Sequence, residues 1–301
     1  MSERFAGYHQ PSGVELRGVD FSSMSTQDKI ARLKSILERK IHGIAFSPYL
    51  DGQEPGDEMS EEQIRERLAI IAPYTDWIRT FRCIEGNQHV PRIAREFGLK
   101  TMVGVDLTED LERNEEEMAA AIEIAKVGNA DLFAVGNENL LRRDISEQQL
   151  LGYIARAKAE IPEGIPVTFV DAYFLFEQHP AVVEACDVVS VNCYPFWESC
   201  PAEYSLLYMK EMYRRAVRVA NGKKVIISET GWPTQGTPFG AAVPSHESTL
   251  EYVINTYTWA EEDGIEVFYF AAFDEAWKTG NEGDVGAYWG LWDSKGHLKY
   301  S

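Results

Sequence analysis

The sequence predicts an α/β protein whose single domain is a (β/α)8 TIM barrel. Short apolar runs alternate with amphipathic stretches along the 301 residues. The runs are continuously apolar or β-branched, as expected of parallel strands that are buried on both faces. Eight such runs with helices between them favour a closed barrel over an open sheet. An open doubly wound sheet would also require a glycine-rich phosphate-binding turn after the first strand, and the sequence has none there.

The predicted helices show apolar residues with a helical period. Within residues 61–72, for example, Ile64, Leu68 and Ile71 recur on one face. Strands are predicted at 41–47, 77–82, 100–105, 131–136, 165–171, 187–193, 224–229 and 266–272. Helices are predicted at 26–39, 61–72, 114–127, 146–160, 204–220 and 247–262.

The two ends of the chain depart from a regular barrel. Residues 1–25 are predicted to form an extended surface segment, and the barrel domain is placed at 26–301. A helix at 26–39 precedes the first strand. After the eighth strand no clear helix is expected, and residues 273–301 are interpreted as a loop with a hairpin around 293–296. We therefore expect the helix at 26–39 to occupy the position of the missing eighth helix.

Charge and residue usage exclude several classes of function. A net charge of −19 disfavours binding to nucleic acid or to anionic membranes, because such a chain repels phosphate. The apolar runs are far shorter than the roughly 18 residues of a membrane span.

Cysteines lack metal-ligand spacing and histidines are scattered, so neither a metal nor another cofactor is predicted. No signal peptide is visible at the start, which predicts a cytoplasmic protein, or a secreted or periplasmic one without its leader. The oligomeric state is left open.

Two glutamates stand at the ends of apolar runs. Glu138 follows the fourth predicted strand and Glu229 ends the seventh. Barrel enzymes place their chemistry at the C-terminal ends of the strands, so both carboxyls should converge on one opening. A pair of carboxyls can supply the proton and the nucleophile that break a glycosidic bond. The acid of such a pair keeps its proton because burial and the partner's charge raise its pKa.

Other side chains at the strand ends suit a sugar ligand. Aromatic rings match the apolar C–H faces of sugars, and polar groups fix the hydroxyls. Tyr194 is placed to donate a hydrogen bond to Glu229. Arg82 either orients a carboxylate of the site or pairs only with Glu85. Trp77, Asp106 and Asp171 are interpreted as structural. The aromatic candidates are Tyr49, Tyr173, Tyr194, Phe196, Trp197, Trp232, Trp277 and Trp289.

Several motifs resemble those of glycoside hydrolase family 17, the β-1,3-glucanases. Residues 135–138 (VGNE) resemble the acid/base motif of that family, and residues 227–233 (ISETGWP) resemble its nucleophile motif. Residues 192–196 (NCYPF) match its strand-six pattern and residues 273–278 (FDEAWK) its strand-eight motif. The likeness runs from about residue 41 to the C-terminus. Plant members carry a longer insertion near strand six. The shorter segment in this chain suggests that the cleft is less enclosed on the side that binds the acceptor.

The resemblance implies roles for individual residues. Glu138 would be the acid/base and Glu229 the nucleophile of an enzyme that retains anomeric configuration. Asn137 would hold the sugar 2-hydroxyl, while Glu275 and Lys278 would support the site.

The predicted function is hydrolysis of laminarin-like β-1,3-glucan by double displacement through a covalent glycosyl-enzyme. The expected partner is thus a β-glucan oligosaccharide or polysaccharide. A β-1,3-glucanosyltransferase with the same catalytic pair is an alternative, and action on mixed-linked glucan is another. A non-catalytic carbohydrate-binding barrel is a further alternative, because fold alone does not establish activity.

Overall fold

The structure, a computed structural model of the protein, describes residues 18–301, which form a closed barrel of eight parallel strands in chain order. Pairing of the first strand with the eighth closes the ring. The predicted (β/α)8 fold is confirmed. The strands are β1 (Ile41–Ala45), β2 (Thr75–Arg79), β3 (Lys100–Val105), β4 (Leu132–Asn137), β5 (Val167–Ala172), β6 (Val189–Asn192), β7 (Val225–Thr230) and β8 (Val267–Tyr269).

The helices lie between the strands and mostly match the predicted ranges. Several begin at a side chain that accepts a hydrogen bond from the first turn, as Ser25, Asp110 and Ser146 do. The helices are α1 (Thr26–Glu38), α2 (Glu61–Ile71), α3 (Val90–Glu96), α4 (Leu111–Lys126), α5 (Asn139–Arg142), α6 (Glu147–Glu160), α7 (Leu175–Gln178), α8 (Pro180–Ala185), α9 (Ser205–Val219), α10 (His246–Asp263) and α11 (Thr279–Glu282). Those missed by the sequence analysis (α3, α5, α7, α8 and α11) are too short to show a helical period.

The N-terminal helix α1 packs against α10 and against the 3-10 turn at Ala72–Tyr74 that follows α2. Buried Lys29 of α1 forms ion pairs with Glu247 and Glu251 of α10. This is the outer position that a helix after β8 would take, as predicted. The predicted extended segment 1–25 falls largely on residues 1–17, which lie outside the described residues, so the division of the chain at residue 25 stays a prediction.

The chain after β8 crosses the mouth of the barrel in short turns. A 3-10 turn at Ala276–Lys278, helix α11 and a second 3-10 segment at Gly283–Tyr288 follow one another. The predicted hairpin comes next, where Trp292 and Leu298 form an antiparallel bridge. These turns bring the last part of the chain above the strand ends.

Large apolar side chains pack between β1, β2 and β8 at the N-terminal end of the barrel. The ring of Trp77 lies 6.3 Å from Phe268 and 5.6 Å from His42 between centroids. Gly43 on β1 leaves room for this packing, because a Cβ there would lie 2.4 Å from the Phe268 ring. The interpretation of Trp77 as a packing residue is confirmed. No helix within residues 18–301 is both long enough and apolar enough to cross a membrane.

Candidate active site

The end of β4 is an irregular turn that carries Glu138. The pairing register with β5 shifts between Ala134 and Asn137. Gly136 has a φ of 86°, and a Cβ there would lie 2.2 Å from Oδ1 of Asn139. Glu138 itself has a φ of 54°, and α5 begins at the next residue. The turn brings the Glu138 side chain to the cleft at the C-terminal mouth of the barrel.

Glu229 on β7 is buried and holds two partners from other strands. Arg79, at the end of β2, forms an ion pair with its Oε1. The hydroxyl of Tyr194 donates to its Oε2 at 2.7 Å, so the predicted hydrogen bond is present. Arg79 also donates through Nη2 to Oδ1 of Asn137 at 2.8 Å. The orientation of Glu229 is thus fixed by a cation and a hydroxyl.

Asn192, the last residue of β6, connects the two carboxyl groups. Its Nδ2 donates to Oε1 of Glu138 at 2.9 Å and to Oδ1 of Asn137 at 3.3 Å. Its Oδ1 accepts from the hydroxyl of Ser228, the neighbour of Glu229, at 2.9 Å. The oxygen of Asn137 is occupied by Arg79 and Asn192, which leaves its amide nitrogen to donate to a ligand.

The surroundings of Glu138 favour its protonated form. Burial raises the pKa of the Glu138 carboxyl, and the negative charge of Glu229 raises it further. The hydrogen bond from Asn192 and the positive charges of Arg142 and Arg79 oppose this shift. A carboxyl with a raised pKa can serve as a proton donor near neutral pH.

Glu138 and Glu229 lie where two cavities of one elongated cleft meet. The larger cavity has a volume of about 760 Å³ and the smaller about 260 Å³, and both are lined by this pair together with Phe270 and Glu282. A cleft that extends on both sides of the carboxyls suits a chain-like substrate. The larger cavity is further lined by Tyr173, Tyr194, Trp197, Phe239 and Trp289, and the smaller one by Tyr49, Arg82, Asn137, Trp277 and Lys278.

Two predicted aromatic contacts are wrong. Phe196 and Trp232 are fully buried, so neither can touch a substrate. Trp232 turns back onto α10, where its ring lies 5.5 Å from that of Tyr252 and its Nε1 donates to the carbonyl oxygen of Val243 at 3.0 Å. Phe196 packs between Trp232 and Trp289. Both rings are packed in the apolar layer between the strands and the outer helices, where they support the cleft from behind.

Glu275 lies behind the cleft lining. It is 6% exposed, forms an ion pair with Lys278 and accepts a hydrogen bond from Nε1 of Trp277 at 3.2 Å. Lys278 also lies 4.1 Å from the centroid of the Phe270 ring. Glu275 therefore orients two residues of the smaller cavity, which agrees with a supporting position.

Arg79 takes the orienting position for which the sequence analysis had considered Arg82. β2 ends at Arg79 and not at residue 82 as predicted. Arg82 lies further along the wall, where it pairs with Glu85 at 3.0 Å and with Asp106 at 2.8 Å. One signal in the sequence pointed to Arg79, because an arginine within a buried strand requires a partner.

Glu282 was also missed by the sequence analysis. It belongs to α11, in the segment for which no helix was predicted, and it lines both cavities. Burial raises its pKa to about 7, and the charge of Glu229 adds to the shift. Its Oε2 atom has no hydrogen-bond partner among residues 18–301. A third carboxyl thus faces the pair.

Within residues 18–301, no three histidine, cysteine, aspartate or glutamate side chains are arranged so that they could hold a metal ion together. The absence of a cofactor stays a prediction.

Residues 43–290 match the BtgE/BtgC glycoside hydrolase domain. The chain belongs to this glycoside hydrolase family. The glucan 1,3-beta-glucosidase of Saccharomyces cerevisiae is 27% identical over 270 residues, which cover 80% of this chain and 85% of the yeast protein. The glucan 1,3-beta-glucosidase of Candida albicans is 28% identical over 78% of this chain and 84% of its own length.

Solved structures agree with this family membership. The family 17 β-1,3-glucanosyltransferase of Rhizomucor miehei superposes with a TM-score of 0.78 at 28% identity, covering 87% of this chain and 96% of that one. An endo-laminarinase from Formosa has a TM-score of 0.72 at 20% identity, covering 87% and 85% of the two chains. The second likeness concerns the fold alone. The resemblance to glycoside hydrolase family 17 is confirmed.

Replacing Arg79 with methionine should strongly destabilise this glycoside hydrolase. The change leaves Glu229 buried without its cation, and loss of one partner of a buried pair typically costs about 3–5 kcal/mol. Urea denaturation would measure the free energy of unfolding of the wild type and the variants. The loss should be smaller when Glu229→Gln is added, because no unpaired charge then remains. Additive losses in the double variant would contradict the prediction, and Arg82→Met is the matched control on the same wall.

Replacing Glu229 with glutamine should lower the pKa of Glu138. The negative charge of Glu229 opposes deprotonation of Glu138, so its removal makes Glu138 a stronger acid. NMR titration of protein labelled with ¹³C at the glutamate carboxyls would follow the change. Glu160→Gln, at the outer end of α6, should leave the titration unaltered. An unchanged or raised pKa in Glu229→Gln would show that the two carboxyls are not coupled.

Proposed function

We propose that the protein hydrolyses β-1,3-glucan by double displacement with retention of anomeric configuration. The observation that carries the proposal is the pair of carboxyls at one opening in contrasting surroundings. Glu229 is buried against the Arg79 cation. Glu138, in contrast, has a raised pKa, receives an amide donor on Oε1 and has its Oε2 3.9 Å from Nη1 of Arg142. Enzymes that break glycosidic bonds separate the tasks of their two carboxyls in this way.

In the first step Glu229 attacks the anomeric carbon of the bound sugar. The bond from this carbon to the glycosidic oxygen breaks, and Glu138 gives its proton to the departing oxygen. The product is a glycosyl ester on Glu229 and a shortened chain. Arg79 and Tyr194 hold the attacking carboxylate, and the amide nitrogen of Asn137 donates to the sugar 2-hydroxyl.

In the second step Glu138, now ionised, acts as the base. It takes a proton from water while the water oxygen attacks the anomeric carbon and breaks the ester to Glu229. Glu138 is thereby protonated again and Glu229 is released as a carboxylate. Both residues return to their starting forms after one turnover.

Asn137 distinguishes the two sides of the cleft. It lines the smaller cavity, so a sugar whose 2-hydroxyl it holds lies on that side. The leaving chain then occupies the larger cavity with Trp197 and Phe239. A cleft with room on both sides supports endo action. The β-1,3 linkage is inferred from the yeast relatives and from the Rhizomucor miehei transferase, solved as an active-site mutant with laminaritriose.

A β-1,3-glucanosyltransferase is the second candidate. The aromatic lining of the larger cavity favours it, because rings such as Trp197 can retain a sugar whose hydroxyl replaces water in the second step. The Rhizomucor miehei neighbour is named a β-1,3-glucanosyltransferase, which also supports this candidate. A non-catalytic carbohydrate-binding barrel has less support, since both carboxyls are present. Cytoplasmic or secreted location stays a prediction.

Glu229→Gln should abolish turnover of laminarin while glucan binding persists. The amide cannot attack the anomeric carbon, but the cleft keeps its shape. A reducing-sugar assay measures turnover, isothermal titration calorimetry measures binding, and NMR of the first wild-type products gives their anomeric form. Glu160→Gln should be fully active. An unchanged rate in Glu229→Gln, or an inverted first product, would refute the mechanism.

The products made from laminari-oligosaccharides distinguish hydrolysis from transfer. Products longer than the substrate would establish transfer, and their absence at high substrate concentration would leave hydrolysis alone. If transfer occurs, Trp197→Ala should lower the ratio of transfer to hydrolysis several-fold, because the acceptor loses its ring contact. Trp277→Ala alters the smaller cavity. This change should affect KM by a larger factor than it affects the ratio of transfer to hydrolysis. A panel of laminarin, lichenan, curdlan and carboxymethylcellulose tests the linkage.

A further inference from the structure

The helix that follows Glu138 begins without a cap of its own. Glu138 is the N-cap residue of α5, yet within the described chain its side chain makes no capping hydrogen bond. An N-cap side chain usually accepts from the second or third N–H of its helix. Here that side chain is turned to the cleft, so the N–H groups of Leu140 and Leu141 need another acceptor.

Asp171, on the neighbouring strand β5, supplies that acceptor. Its Oδ2 accepts from the N–H of Leu140 at 3.1 Å and from that of Leu141 at 3.3 Å. Its Oδ1 accepts from the N–H of Ala172 at 2.7 Å. Asp171 is fully buried. One carboxyl group thus joins β5 to the first turn of α5, and it does so from outside the helix.

The backbone of Glu138 depends on this support. A non-glycine residue in the left-handed region costs of order 1–3 kcal/mol and persists only where its surroundings impose it. The N–H of Glu138 donates to the carbonyl oxygen of Val170 at 2.8 Å, and its own carbonyl oxygen accepts from the N–H of Arg142 at 2.9 Å. Val170 fixes the turn from one side, and Asp171 fixes the helix that follows it.

We propose that Asp171 is a positioning residue for the proton donor: by capping α5 in place of Glu138, it frees that side chain for catalysis and fixes its direction. This inference rests on the proposed function, in which Glu138 protonates the leaving oxygen. It assigns Asp171 a role that acts through the proton transfers of Glu138, in contrast to the general structural role expected from the sequence.

The test compares two substrates that differ in their need for an acid. Laminari-oligosaccharides have a poor leaving group and require protonation, whereas 2,4-dinitrophenyl β-laminaribioside has a leaving group that departs without it. General acid catalysis typically contributes about 10²–10⁴-fold. Asp171→Ala should therefore lower kcat/KM by about 10²-fold for the oligosaccharides and by less than about tenfold for the aryl glycoside. Asp171→Asn, which keeps one acceptor oxygen, should show a smaller loss with the same selectivity.

Two controls separate this role from a general loss of structure. Asp187→Asn alters a carboxylate that accepts from the N–H of Val167 at 2.9 Å, at the opposite end of β5. It should lower the Tm yet change both kcat/KM values by the same factor. Glu138→Ala should show the strongest selectivity. All assays are made well below the Tm of each variant, and Asp171→Asn serves if Asp171→Ala does not fold.

The outcomes distinguish the two proposals. Equal losses on both substrates in the Asp171 variants, alongside selective loss in Glu138→Ala, would overturn the inference about Asp171 alone. Equal losses in Glu138→Ala as well would overturn the assignment of Glu138 as the acid, and with it the proposed function.

Discussion

The buried ion pair between Arg79 and Glu229 is the interaction on which the rest of the site depends. Removing two charges from water is costly, and the cost is offset only when the remaining hydrogen-bonding groups also find partners. Here Asn137 accepts from the guanidinium and Tyr194 donates to the carboxylate. These four residues come from the ends of different strands or the loops that follow them. Satisfying one charge pair therefore fixes several strand ends relative to each other.

The same network makes the two carboxyls unequal. Glu229 lies against the Arg79 cation. Glu138 sits on a half-buried turn, receives an amide donor and lies 3.9 Å from Nη1 of Arg142. Because the negative charge of Glu229 acts on Glu138, the proposed nucleophile raises the pKa of the proposed acid. In the proposed mechanism, the proton held by Glu138 is the one that the first step transfers to the leaving oxygen.

The chemistry of the pair does not decide between water and a sugar as the acceptor. In the proposed mechanism that choice depends on the walls of the larger cavity, which come from the loops after β5, β6 and β7 and from the turns after β8. Buried Phe196 and Trp232 brace this wall from behind, while Trp197 and Phe239 face the cleft. Loops are suited to set the preference for water or sugar, because their sequences can vary while the catalytic positions at the strand ends stay the same.

The sequence by itself determined the barrel and the position of Glu138 and Glu229. Apolar period and strand-end motifs are local signals, and local signals survive in any tertiary arrangement that buries the strands. Only the tertiary structure decided the contacts of Arg79 and Asp171 and the burial of Trp232. Arg79 meets Glu229 across 150 positions of the chain and Asn137 across 58. A hydrophobic pattern predicts which residues are buried. Which distant side chains come into contact depends on how the strands are arranged in the closed barrel.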